Sequence, residues 1–250
     1  MNRVSEFIKK EIPLQLKSCS ILQSKMSLKG SPRRRLFRAA AKMAGAKSRK
    51  ADPPIGLFRC LRQWYLQFDP SIYGKEVAQI LALDQDGLRL IPLVSGQCSS
   101  SEAKAILQGS KASELFPRAL SADAALAGLW LYFSCIDECH QIVQNLHSSE
   151  AHFWHAILHR QEPDSGNSAY WFRRAGSHPI FRDLCRMADE VVARQPVAEF
   201  RTGGKWDPFS FIMFCERARQ QPHSAQKQAA IEIQLAEWQL LFDFCARPKS

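Results

Sequence analysis

The sequence predicts an all-α protein: a compact multi-helix domain of about eight helices behind a mobile basic N-terminal arm. Three observations carry this. Apolar residues recur at spacings of three and four from residue 55 onward. Helix-start signals, serines or Asp-Pro ahead of apolar runs, punctuate the same region. Only one stretch, LRLIPLV at 88–94, reads as extended, so a short β-hairpin or extended segment near 80–94 is the most β-structure expected.

With 250 residues, 46% of them hydrophobic, the chain is long enough to bury one substantial core. The domain expectation is a basic, disordered arm over 1–54 and a single helical domain over 55–250. The net charge of +10 is uneven: residues 1–50 hold 14 Lys and Arg against Glu6 and Glu11, and the rest carries a slight acidic excess. Nucleic acid or an anionic surface is therefore a partner only through residues 1–54. Organelle targeting through this arm competes with a cytoplasmic location; its Arg and Ser fit a transit peptide, and its two glutamates do not. The apolar run from Ala124 to Ile136 is 13 residues, too short against the roughly 20 a spanning helix needs, so no transmembrane segment is expected. The eight cysteines show no C-x-x-C pair and read as reduced, mostly buried thiols.

In chain order, GLFRCLRQWYLQF and KEVAQILAL read as helices, followed by the DQDG turn and the extended LRLIPLV. Serines before Glu102 cap a helix. SADAALAGLWLYFSCIDECHQIVQNL reads as one long central helix, apolar around most of its circumference. SSEAHFWHAILHRQE opens on serine caps and stops before Pro163. Asp164 or Ser165 caps GNSAYWFRRA, which Gly176 ends. These two helices are similar in outline to a tetratricopeptide or Sel1-like hairpin, without a repeat period. Pro179 opens PIFRDLCRMADEVVAR, the RTGGK stretch is a flexible loop, Asp207-Pro208 starts FSFIMFCERARQQ, and a last helix spans about 225–245.

The chemistry-bearing residues concentrate in AHFWHAILHR. His152, His155 and His159 lie within about 60° of one another on a helical wheel, opposite Phe153, Trp154, Ile157 and Leu158. The expectation is that they occupy the polar side, where solvated histidine is favoured over a metal site. At i, i+4, His155 and His159 have the spacing for a shared metal, but Ala156 stands where the zincin pattern has its glutamate. A third ligand would have to come from Asp137, Glu138, His140, Glu162 or His178. His155 and His159 are the candidates for catalysis. Arg160, Asp164, Asn167, Tyr170, Arg173 and Arg174, grouped around the next turn, are candidates for binding an anionic ligand, with a capping and salt-bridge network as the competing reading. No P-loop, G-x-G-x-x-G or G-x-S-x-G is present, and nothing in the sequence names a cofactor.

The segment FWHAILHRQEPDSGNSAYWFRRAGSHPIF, with AALAGLWLYFSCIDECHQI before it and WDPFSFIMFCERAR and EIQLAEWQLLFDFCAR after, resembles a family of uncharacterised, mainly bacterial proteins sharing a HAxxHRxExDxxNxxYWxRR-type segment. The resemblance covers roughly 75–247, omits the basic arm, and implies one compact body without an activity to carry over. Three functions are thus open: a helical binding protein engaging a protein partner or small anionic ligand around His155–Arg174, a metal-assisted hydrolase using His155 and His159 with a carboxylate from the neighbouring helix, or a polyanion binder acting through its arm.

Overall fold

The computed structural model describes residues 68–195 and 200–249. The chain divides between Arg59 and Cys60 into two units, and every described residue belongs to the second. The arm assigned to 1–54, and nearly all of the helix expected in GLFRCLRQWYLQF, lie outside the described residues.

Among the described residues, ten α-helices follow one another: α1 (Lys75–Ala82), α2 (Ser101–Gln108), α3 (Ala112–Leu115), α4 (Ala122–Tyr132), α5 (Ile136–Val143), α6 (Ser149–Gln161), α7 (Ser165–Ala175), α8 (Phe181–Arg194), α9 (Pro208–Arg219) and α10 (Ala225–Ala246). Among the described residues there is no strand, only an isolated bridge between Ala119 and Pro248. The protein is all-α, and LRLIPLV is an irregular stretch. Gln234 in α10 holds it, its Nε2 donating to the carbonyls of Ile91 at 3.0 Å and Pro92 at 2.9 Å. None of these helices is long and apolar enough to cross a membrane.

The helix starts follow from local chemistry. The hydroxyls of Ser100, Ser148 and Ser224 accept the amides of Ala103, Ala151 and Lys227, and the Asp207 carboxylate takes those of Phe209 and Ser210. Each of these caps satisfies donors that the first helical turn leaves without an internal partner.

The long helix expected over 121–146 is instead two. Ser134 adopts a left-handed φ of 59°, and the amides of Ser134 and Cys135 donate to the carbonyls of Leu131 and Trp130, both at 3.0 Å. This closes α4 as a Schellman-type stop with serine in the position glycine usually fills. The uninterrupted apolar pattern hid the break because α4 is buried around nearly its whole circumference right up to it, whereas α5 buries only the face of Cys139 and Val143. The consequence is positional: α5 starts afresh and packs against α6.

The thiol expectation also needs correction at one pair. Cys98 and Cys135 are joined by a disulfide with their Cα atoms 4.6 Å apart, while Cys139, Cys185, Cys215 and Cys245 are free and buried.

Helix α10 is the axis of the core, packing against α4, α8 and α9. Where it meets α4 and α6, Trp238 Nε1 donates to the Gly128 carbonyl at 2.8 Å. A Cβ on Gly128 would stand 2.8 Å from the Trp154 ring and 3.2 Å from Phe242, so the helices approach this closely only because that residue has no side chain.

Helices α6 and α7 form an antiparallel hairpin. Ser149 Oγ donates to the Ala175 carbonyl at 2.6 Å, and Ser168 Oγ donates to the Ala156 carbonyl at 2.8 Å. The start of each helix is thus tied to the other, and facing residues follow in opposite order.

Candidate metal centre

The hairpin sets three rungs side by side. At the first, Asn167 Nδ2 lies 3.1 Å from His159 Nε2. At the second, Trp171 stacks on His155, ring centroids 3.8 Å apart and planes 15° from parallel. At the third, His152 lies beside the Arg174 backbone, its ring centroid 5.3 Å from that of Trp171. Helix α7 contributes Asn167, Trp171 and Arg174 because the spacing i, i+4, i+7 places them on one stripe.

The histidines therefore do not lie on a solvated face. His155 is 2% exposed, His159 7% and His152 6%. The helical wheel located the shared face correctly, but α7 covers that face where open water was expected. Polar residues on one side of a helix indicate chemistry on that side and say nothing of what lies across from it.

Helix α5 adds a third imidazole to two of them. His140 meets His155 edge-on, with ring centroids 4.8 Å apart, and His159 likewise at 5.6 Å. His155 and His159 are themselves stacked at 4.8 Å, so the His155 ring is sandwiched between His159 and Trp171. One ligand nitrogen from each of His140, His155 and His159 lies within 4.8 Å of the others. Three nitrogens around a tetrahedral zinc are about 3.4 Å apart, given bonds of about 2.1 Å, so closing on an ion needs a contraction of about 1.4 Å at most.

Electrostatics favours lone pairs here over protons. Burial, followed by the neighbouring His159, His140 and His152, pushes His155 down to about 3. Burial also lowers His159 below the ordinary histidine range, against the pull of Glu162. A buried imidazole kept neutral by neighbouring imidazoles is suited to coordinating a cation. His155 Nδ1 is moreover buried without a hydrogen-bond partner.

Glu162 supplies the orienting carboxylate. Its Oε2 lies 2.8 Å from His159 Nδ1, which fixes the proton on that nitrogen and leaves Nε2 as the lone-pair side. Asp164 caps α7 by accepting the Asn167 amide at 2.9 Å.

The remaining candidates separate. Of the possible third ligands, the structure brings His140 to His155 and His159. Glu138 pairs with Lys104 at 2.6 Å, and His178 lies among Phe153, Phe181 and Phe244 with Glu150 at 3.9 Å. Asp137 and His152 are outside the metal-competent group. Arg160 points elsewhere from the same helix: it is 1% exposed, paired with Glu237, donates to Gln234 Oε1 at 3.2 Å and lies over the Phe211 ring at 4.6 Å. Arg173 lies over Phe209 on the far side of α7, at 5.6 Å. Tyr170 is exposed, with the Arg174 guanidinium 5.9 Å from its ring centroid.

The donor set is nitrogen only. Cys139, next to His140, is fully buried, and burial pushes its thiol up, away from the thiolate a metal would require. Three imidazoles, a carboxylate behind one of them and no sulfur ligand suit zinc and its late first-row neighbours better than Cu(I) or an iron–sulfur cluster.

No protein-family model matches the chain, and no similar curated protein or solved structure was found for it.

Proposed function

We propose that this protein binds one divalent transition-metal ion of the zinc class through His140, His155 and His159, as a centre for metal-assisted hydrolysis. The convergence of three imidazole nitrogens within 4.8 Å, from α5 and α6, which pack together after α4 ends ahead of Ser134, carries this reading. It also uses features that a structural histidine cluster would not need: the Glu162 carboxylate on His159 Nδ1 and the partnerless Nδ1 of His155.

Three protein ligands leave a tetrahedral ion one position for water or substrate, where it polarises a bound oxygen or lowers the pKa of bound water. Glu162 orients His159, Trp171 and His159 clamp the His155 ring, and α7 covers the centre on one side. The carboxylate envisaged on the neighbouring helix is replaced in this reading by His140 from that helix.

Elemental analysis of the purified full chain tests it. The expected result is one zinc, nickel or copper ion per chain, retained after dialysis and lost in the His155→Ala, His159→Ala double variant. A wild-type chain that remains metal-free after incubation with each of these ions would refute the proposal.

A further inference from the structure

We infer that the open position of this centre takes a phosphate-class oxyanion, gripped by Asn167 beside the ion and by Arg174 along the same helix face. The inference rests on the metal reading above and adds the ligand class.

Asn167 occupies a telling place. Because Glu162 holds the proton on His159 Nδ1, the lone pair that His159 offers is on Nε2, and the Asn167 amide nitrogen lies against this ring, 3.1 Å from Nε2 and 3.4 Å from Nδ1. An ion on Nε2 takes over that lone pair. The amide then keeps its N–H donors next to the ion's remaining position, where an oxygen bound to the metal is the acceptor at hand. Such a donor favours an oxygen that carries negative charge over a neutral water.

Arg174 supplies the second grip. It is exposed, its guanidinium lies 5.6 Å from the Trp171 ring centroid, and no carboxylate pairs with it among the described residues. It reaches the stripe by the same spacing that presents Asn167 and Trp171 to His159 and His155. A guanidinium left without an acid, one rung beyond His155, fits an oxyanion bidentately. Glu162 and Asp164 oppose an anion, but one is engaged with His159 and the other with the Asn167 backbone amide, and a divalent ion with Arg174 leaves the balance positive. Ion, amide and guanidinium are three separate groups for the ligand to satisfy. A phosphate presents an oxygen to each, whereas a carboxylate has only two.

The test uses the full chain, stripped with chelator and reloaded with cobalt(II), whose visible spectrum reports a change in its ligands. Inorganic phosphate is the probe. The expected result is a saturable spectral change with phosphate, and no phosphate binding by the metal-free chain in calorimetry. Arg174→Gln and Asn167→Leu should each weaken phosphate by about tenfold or more, as expected for loss of a hydrogen bond to a charged group, while cobalt affinity stays within about twofold. Arg173→Gln, whose guanidinium lies over Phe209, should behave as wild type. Equal phosphate affinity in wild type and both variants, or with and without metal, overturns the inference while leaving the metal reading intact. Acetate binding as tightly as phosphate overturns the phosphate assignment. Failure of wild type to take up cobalt overturns both readings.

Discussion

The indole of Trp171 lies face to face with the imidazole of His155, their centroids 3.8 Å apart. A tryptophan does two things at that distance. It holds the imidazole plane in place, and it is a built-in reporter for whatever binds to that ring. Copper(II) or nickel(II) on His155 should quench the Trp171 share of the emission from the chain's six tryptophans. Trp171→Phe should remove that quenching while metal uptake by elemental analysis persists. Metal uptake with identical quenching in wild type and Trp171→Phe would place the ion away from His155.

Arg160 follows His159 directly in α6, yet it serves the opposite side of the helix. Its pair with Glu237 is sealed: the two side chains are 1% and 0% exposed. Burial works against both charges: at Arg160 the adjacent Glu237, together with Cys215, more than offsets it, whereas at Glu237 burial outweighs Arg160 and holds the carboxyl above the usual carboxylate range. Removing one partner leaves an uncompensated buried charge, so Glu237→Gln or Arg160→Met should each cost about 3–5 kcal/mol. Replacing both, as Arg160→Met with Glu237→Leu, should cost less than either alone. Urea denaturation of the four chains closes this double-mutant cycle; additive losses would show that the two charges are not coupled.

The limits of sequence reading follow the same divide between local and distant chemistry. Ser100, Ser148, Asp164 and Asp207 are legible as caps because the donors they satisfy lie two or three residues on. Periodicity gave the common face of His155 and His159 for the same reason. What covers that face is decided by α7 folding back, and which third residue joins them by a left-handed serine inside an unbroken apolar run. His140 was only one of five third-ligand candidates, since nothing within reach of its own helix distinguishes it from Asp137 or Glu138. Arg160 read as a surface binding group because its partner lies 77 residues away. The role of Asn167 follows from its distance to His159 across the hairpin, which no spacing rule encodes.

Gly128 is the point of closest approach between three helices of the core, where α4 meets Trp154 of α6 and Phe242 of α10. Gly128→Ala would gain helix propensity on the order of 1 kcal/mol. Against this, its Cβ would meet a ring carbon at 2.8 Å in a site where both neighbours are fully buried aromatics. Overpacking of this kind costs about 1–3 kcal/mol, so the net change should be a lower denaturation midpoint. Because Trp154 belongs to the helix that carries His155, metal affinity should fall as well. An unchanged midpoint would mean that the rings move aside freely.

His178 makes stability depend on acidity without taking part in the metal centre. Its ring is enclosed by Phe153, Phe181 and Phe244, and Glu150 at 3.9 Å is the charged group facing it. Burial lowers its pKa, with Glu150 opposing only in part. The unfolded chain therefore takes up a proton on this residue near pH 6.5, where the folded chain still resists it. The stability associated with the neutral ring is fully present above that pH and is lost as the pH falls toward the depressed folded value, by up to about 1.4 kcal/mol per pH unit. His178→Phe, which suits three aromatic neighbours and cannot titrate, should flatten this part of the profile. The comparison is made on metal-free protein, by urea midpoints between pH 7.5 and 5 in about half-unit steps, so that proton competition at His155 and His159 is common to both chains. Parallel profiles for the two proteins would assign the acid sensitivity elsewhere.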